Sequence, residues 1–258
     1  MNDRPLGAPA VTPPNFEDLK ICLSLGVRDF LATPWIGLFF ASFYVVVGLA
    51  MTWITYVTGQ TFWLILSVLG FPLIGAFAAL GLYETSRRRA NDEPLTFPDI
   101  LGVVLSHRHG QLPWLAVIIV VVFLFWFFLG HMIFALFLGL SPMTNVSTSL
   151  DVFLTNDGLV MIAVGTVVGA VFATLVFSMS VLGIPMLLDR DVDFVTAAIC
   201  SMSAVKNQPM IYLLWGVFVG ALTLIAMVPF FLGLFVVMPV LGHTTWHLYK
   251  RVSQPAHE

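Results

Sequence analysis

Long apolar runs, separated by short polar stretches, set the plan of this chain. Residues 1–14, MNDRPLGAPAVTPP, are Pro-rich and lack periodicity, which predicts a disordered tail. From Asn15 to about Phe30, the residues Phe16, Leu19, Leu23, Val27 and Phe30 recur at helical spacing. Asn15 can cap this segment, with Asp18 three residues on, so a short interfacial helix is expected. Trp35–Tyr56 contains no Asp, Glu, Lys or Arg. As a helix it would be about 33 Å long, against a bilayer core of roughly 30 Å. After a turn at Thr58-Gly59-Gln60, Phe62–Tyr83 predicts a return span. Pro94–His109 is a polar-flanked segment. Further spans are expected at about Pro113–Leu138 and Gly158–Leu187, joined by an outside loop at Gly139–Asp157. Asp189–Gln208 is polar again, and Met210–Leu248 carries no Asp, Glu, Lys or Arg but is too long for one span. A cut near Val228-Pro229 gives spans five and six. The expected fold is all-α: a polytopic membrane protein with six transmembrane helices and two or three interfacial amphipathic helices. Its single membrane domain covers residues 15–251, with a tail at 252–258.

Composition and charge sharpen this picture. The chain has 258 residues, 59% hydrophobic and 10% charged, with mean hydropathy +0.97. Soluble domains carry about 25% charged residues. A net charge of -3, with few and segregated charges, gives no footprint for nucleic acid. Cys22 and Cys200 are far apart, have no metal-type spacing, and fall on the cytoplasmic side, where no disulfide is expected. Early charges, among them Asp3, Arg4, Glu17 and Asp18, precede the first apolar run, so no cleavable signal peptide is expected. Span two ends in Arg87, Arg88 and Arg89. With six spans and both termini inside, all eleven Lys and Arg residues fall on the cytoplasmic side. A five-span chain would put Lys250 and Arg251 outside.

The cytoplasmic segments resemble one another. Asn15-Phe16, Thr96-Phe97 and Asp193-Phe194 each pair a capping residue with Phe. Each segment leads into an outward span, and each return span holds a proline: Pro72, Pro185 and Pro239. This predicts three parallel units, 15–84, 95–188 and 193–249, each with a helix kink at its proline. The prolines would surround a cytoplasmic vestibule bordered by Tyr83, His243 and His247. Prolines that merely fit their neighbours are the competing expectation.

Gly70–Arg89, GFPLIGAFAALGLYETSRRR, and Pro239–Tyr249, PVLGHTTWHLY, resemble the signature of a bacterial six-helix integral membrane family of unknown function. The resemblance implies an inner-membrane location and no assigned activity. Some relatives carry an oxidase-subunit-I label. That activity needs more spans and a set of buried histidines, whereas only His131 lies well inside a span here.

Candidate chemistry is sparse. His243 and His247 are four apart on one helix face and could ligate a metal or haem, or anchor the interface beside Trp246 and Tyr249. His131 reads as a hydrogen-bonded structural residue or a functional one. Arg87, Arg88, Arg89 and Arg108 set orientation and are candidates for anionic lipid contact; around Arg108, His107 and His109 are equally consistent with cations at a helix C-terminus. Gly37/Ala41, Gly165/Gly169 and Gly216/Gly220 form small-residue packing faces. No Asp, Glu, Lys or Arg lies inside a span, and no P-loop, HExxH or GxSxG motif occurs. The expected function is therefore non-catalytic, without cofactor, through association with the lipid bilayer, with other membrane proteins or with anionic lipids. A small permease or channel is the alternative, and a haem or metal binder a minor one.

Overall fold

Capping side chains set the starts of the short polar helices. A computed structural model describes residues 4–58, 63–139 and 153–253. Helix α1 (Phe16–Ala32) begins with a full capping box between Asn15 and Asp18. Thr96 caps α4 (Phe97–Ser106) through the amide of Asp99, and Asp193 caps α8 (Phe194–Asn207) through the amide of Thr196. All three cap-Phe pairs thus start helices. The long apolar helices are α2 (Pro34–Thr58), α3 (Trp63–Ala90), α5 (Leu112–Leu138), α6 (Asn156–Ser180) and α9 (Pro209–Met227). A 3-10 turn at His107–His109 joins α4 to α5; α7 (Gly183–Asp189) extends α6, and α10 (Leu234–Ser253) closes the described chain. Among the described residues there is no strand, only one isolated bridge between Leu6 and Asp191. Among the described residues, four segments are long and apolar enough to cross a membrane: Pro34–Thr58, Leu112–Leu138, Asn156–Asp189 and Pro209–Met227.

Helix α2 is flanked by α3 and α10 over its first half. Tyr44 donates to the carbonyl of Gly75 at 2.9 Å, and Phe40 lies so close to Gly81 that an added Cβ would sit 2.0 Å from its ring. On the α10 side, Pro239 packs on Gly37 and Phe231 on Gly48. Both neighbours therefore run antiparallel to α2. The larger core gathers Leu80, Tyr83, Leu112, Leu115, Leu182, Met186 and Trp246, where α3, α5, α7 and α10 meet.

The apolar run 210–248 breaks at Val228–Gly233, beside the Val228-Pro229 cut expected from its length. Phe230 and Phe231 take φ of 51° and 64°, so the turn is tight and left-handed without glycine at either position. The prolines behave differently from one another. Before Pro185 the helix breaks at Val181–Leu182, one turn upstream, where a proline removes the hydrogen bond and crowds the carbonyl. The Leu182 amide is instead satisfied by the Ser201 hydroxyl of α8 at 3.1 Å. At Pro239, α10 is continuous and the ring is buried. Pro72 lies within α3, but its side chain is outside the described residues, as are residues 59–62, 140–152, 1–3 and 254–258, which include most of the loop expected at Gly139–Asp157.

Where composition predicts a disordered tail, residues 4–14 lie extended across the polar end of the bundle. Pro5 and Gly7 exchange backbone hydrogen bonds with Asp191 at 3.0 Å, and the Thr12 amide reaches the carbonyl of Val252 at 2.8 Å. Prolines, which lower the entropy of the free segment, suit it to such an extended strap. Pro9 and Pro14 of the strap are buried.

Candidate functional site

The polar chemistry converges where α1, α3 and α10 meet. On α1 the apolar stripe read from the sequence only partly faces the bundle: Phe16 and Val27 are exposed and Leu19, Leu23 and Phe30 half-buried, whereas Cys22, Gly26 and Asp29 are buried. Gly26 permits the approach, since a Cβ there would lie 2.2 Å from Thr244 Oγ1 of α10. That contact delivers Asp29 into the interface, where it is 5% exposed. Its Oδ2 accepts from Ser86 Oγ of α3 and from His247 Nε2 of α10, both at 2.7 Å. Its Oδ1 accepts from Arg89 Nε at 2.9 Å. Because the Ser86 proton is committed to the carboxylate, His243 Nδ1 must donate to Ser86 Oγ, 2.8 Å away. His243 Nε2 is buried without a partner among the described residues.

Asp29 sits in the last turn of α1, where the helix dipole disfavours a negative charge. Burial also opposes its ionisation. The hydrogen bonds from His247, Ser86 and Arg89 outweigh both and hold the carboxyl down at about 2. Beside this network, Glu84 is 1% exposed and receives Arg87 through two nitrogens, at 2.7 and 2.8 Å, and Arg88 at 2.6 Å. Arg87 also reaches Glu93 at 2.8 Å, and these carboxylates raise its pKa further. Asp189 accepts from Tyr249 at 2.8 Å and Lys250 at 3.2 Å, and Arg251 pairs with Asp18.

The residues singled out in the sequence are thus placed as follows. Tyr83 and His243 are buried in packed side chains, with Tyr83 stacked on Trp246 at 6.3 Å, and neither lines the cavities described at this end of the molecule. His247 joins His243 through Asp29 and Ser86. Arg87, Arg88 and Arg89 are occupied by protein carboxylates. Arg108 is exposed and donates to His109, while His107 is buried between Val103 and Arg4, its pKa lowered by burial. His131 bonds the carbonyl of Phe127 one turn earlier at 2.8 Å. Among the described residues no three His, Cys, Asp or Glu side chains are grouped to hold a metal ion.

Sequence reasoning missed Asp29, Ser86 and Asp189. The available signal for Asp29 was its register with Cys22 and Gly26, seven and three residues earlier, a second face of α1 made of small and polar residues.

This is a polytopic α-helical membrane protein whose Lys and Arg side chains, among the described residues, are gathered at one end of its helices. Residues 64–189 match the model of a family described as a predicted integral membrane protein (DUF2189), a family of unknown function to which this part of the chain is similar. The match holds Gly70–Arg89, which carried the resemblance, and stops before Pro239–Tyr249. No curated protein and no solved structure matches the chain.

Proposed function

We propose that this is a non-catalytic protein of the bacterial inner membrane, with six spans and both termini cytoplasmic. It acts by association with other membrane proteins or with lipids. The observation that carries the association is α6: only 6% of its apolar window is buried within the chain. A Cβ at Gly165 would meet nothing within 4 Å, and at Gly169 only the Trp126 indole nitrogen at 3.3 Å. Such a small-residue face lets another helix approach closely.

Support for six spans comes from α3 and α10, which pack antiparallel on the first half of α2, from Gly37 to Gly48. Both end in charged clusters, Arg87–Arg89 and Lys250–Arg251, which lowers their overall hydropathy. Orientation rests on the Lys and Arg positions and the positive-inside rule. The order surface helix, outward span, return span recurs three times in α1–α3, α4–α7 and α8–α10, which supports the threefold unit.

The test is purification in mild detergent of the wild type and of Gly165→Leu. The wild type should retain a defined protein or lipid, and the variant should lose it while keeping its own thermal stability. A wild type that retains neither, yet passes a solute across liposomes, would replace this reading with the permease.

A further inference from the structure

A cavity of about 480 Å³ lies between the N-terminal strap and α8, at the point where α9 begins. Its apolar wall is Val11 and Pro13 of the strap with Ile199 of α8; its polar wall is Asn207, Gln208 and Tyr212. Tyr212 is 1% exposed, and its hydroxyl is buried with no hydrogen-bond partner among the described residues. A buried donor left unpaired costs what a lost hydrogen bond costs, so a partner is expected there. No Lys, Arg or His lines the cavity, so a phosphate would find no counter-charge. Asn207 and Gln208 join the surface helix α8 to the span α9, which places the cavity at the depth of the bilayer interface.

We infer that this cavity binds an uncharged amphiphile from the bilayer, whose carbonyl oxygen accepts from the Tyr212 hydroxyl. The inference deepens the proposed association with lipids and rests on that membrane placement. The apolar wall takes the hydrophobic part of the ligand, and the Asn207 and Gln208 amides supply further donors. The volume falls in the range of small-ligand sites, roughly 300–1,000 Å³. Two sources offer this chemistry: the ester carbonyls of an acylglycerol and the ring carbonyls of a quinone.

Cys200 also lines the cavity and is half-buried, whereas Cys22 is 1% exposed, so a small alkylating reagent reads Cys200. The full-length protein in dodecyl maltoside is treated with iodoacetamide, alone and with dioleoylglycerol or decylubiquinone. The ligand should slow Cys200 alkylation severalfold, and the compound that does so identifies the source. Tyr212→Phe should leave the rate without ligand unchanged and weaken protection about five- to tenfold. Ser203→Trp, at an exposed position on the cavity rim, should abolish protection and carries the test if Tyr212→Phe does not fold. Protection by neither compound, or protection unchanged in both variants, overturns the inference. Retention of a partner through Gly165 is measured separately, so either reading can fail alone.

Discussion

Asp29 shows how one carboxylate can hold three helices together. It is the only acceptor shared by Ser86 of α3, His247 of α10 and Arg89 of α3 among the described hydrogen bonds. Asp29→Ala leaves Ser86, His247 and Arg89 facing a void. Removing one member of a buried charged cluster should cost roughly 3 kcal/mol of unfolding stability, the low end for such losses because Arg89 is 24% exposed. Thermal unfolding in detergent measures this. Asp29 also sets a pH dependence. Its folded pKa, about 2, lies below the ordinary carboxylate value of 3.8. Its stabilisation is therefore fully present above about pH 4 and is lost as the pH falls towards 2. The shift corresponds to roughly 2 kcal/mol. Other lowered carboxylates, Asp18, Glu93 and Asp193, contribute to acid sensitivity too, so the informative quantity is a difference. Between pH 4 and 2 the unfolding midpoint of the wild type should fall more steeply than that of Asp29→Asn. Equal slopes would remove Asp29 from this role.

Between helices, close approach depends on small side chains at crossing points. Gly26 brings α1 onto α10 at Thr244, and the clash of an added side chain there involves Thr244 backbone as well as its hydroxyl. Gly26→Leu should therefore separate α1 from α10 and cost about 1–3 kcal/mol by overpacking. Cys22, one turn earlier on the same face, should become reactive to alkylating reagents in that variant, and a Cys22 as protected as in the wild type would count against the contact. The break before Pro185 works through a side chain supplied by another element. Ser201 caps the Leu182 amide, so Ser201→Ala leaves that buried donor unpaired and should cost about 1–3 kcal/mol. Ser201→Thr, which keeps the hydroxyl, should recover most of it.

Among the described residues, Lys and Arg lie at one end of the helices, and the turn between α9 and α10 is apolar. Ion pairs link α1 to α3 and α10, and α10 to α7, while the strap from Arg4 to Thr12 crosses the same end. Exposed Val228, Phe230 and Leu232 occupy the uncharged turn between α9 and α10. Reporters fused at either terminus should be active in the cytoplasm, and one inserted at Asn145 should be active outside. A C-terminal reporter active outside would rule out six spans.

The sequence by itself determined what depends on local chemistry. Long uncharged runs leave the backbone no solvent but its own helix, which gave the all-α class and the four described segments able to cross a membrane. Capping residues fixed the starts of α1, α4 and α8, because their hydroxyl, amide or carboxylate oxygens meet amides three residues on. The length of 210–248 called for a turn near Pro229. Tertiary structure decided what depends on residues far apart in the chain. The most buried positions of α1 are Cys22, Gly26 and Asp29, while its apolar stripe is half-buried or exposed, because close approach to α10 needs small residues at the contact. Whether Arg87–Arg89 meet lipid or protein turned on Glu84, Glu93 and Asp29, the last of them nearly sixty residues away from the arginines. His243 and His247 share a face by spacing alone, but only the docking of α1 and α3 gave that face a serine and a carboxylate.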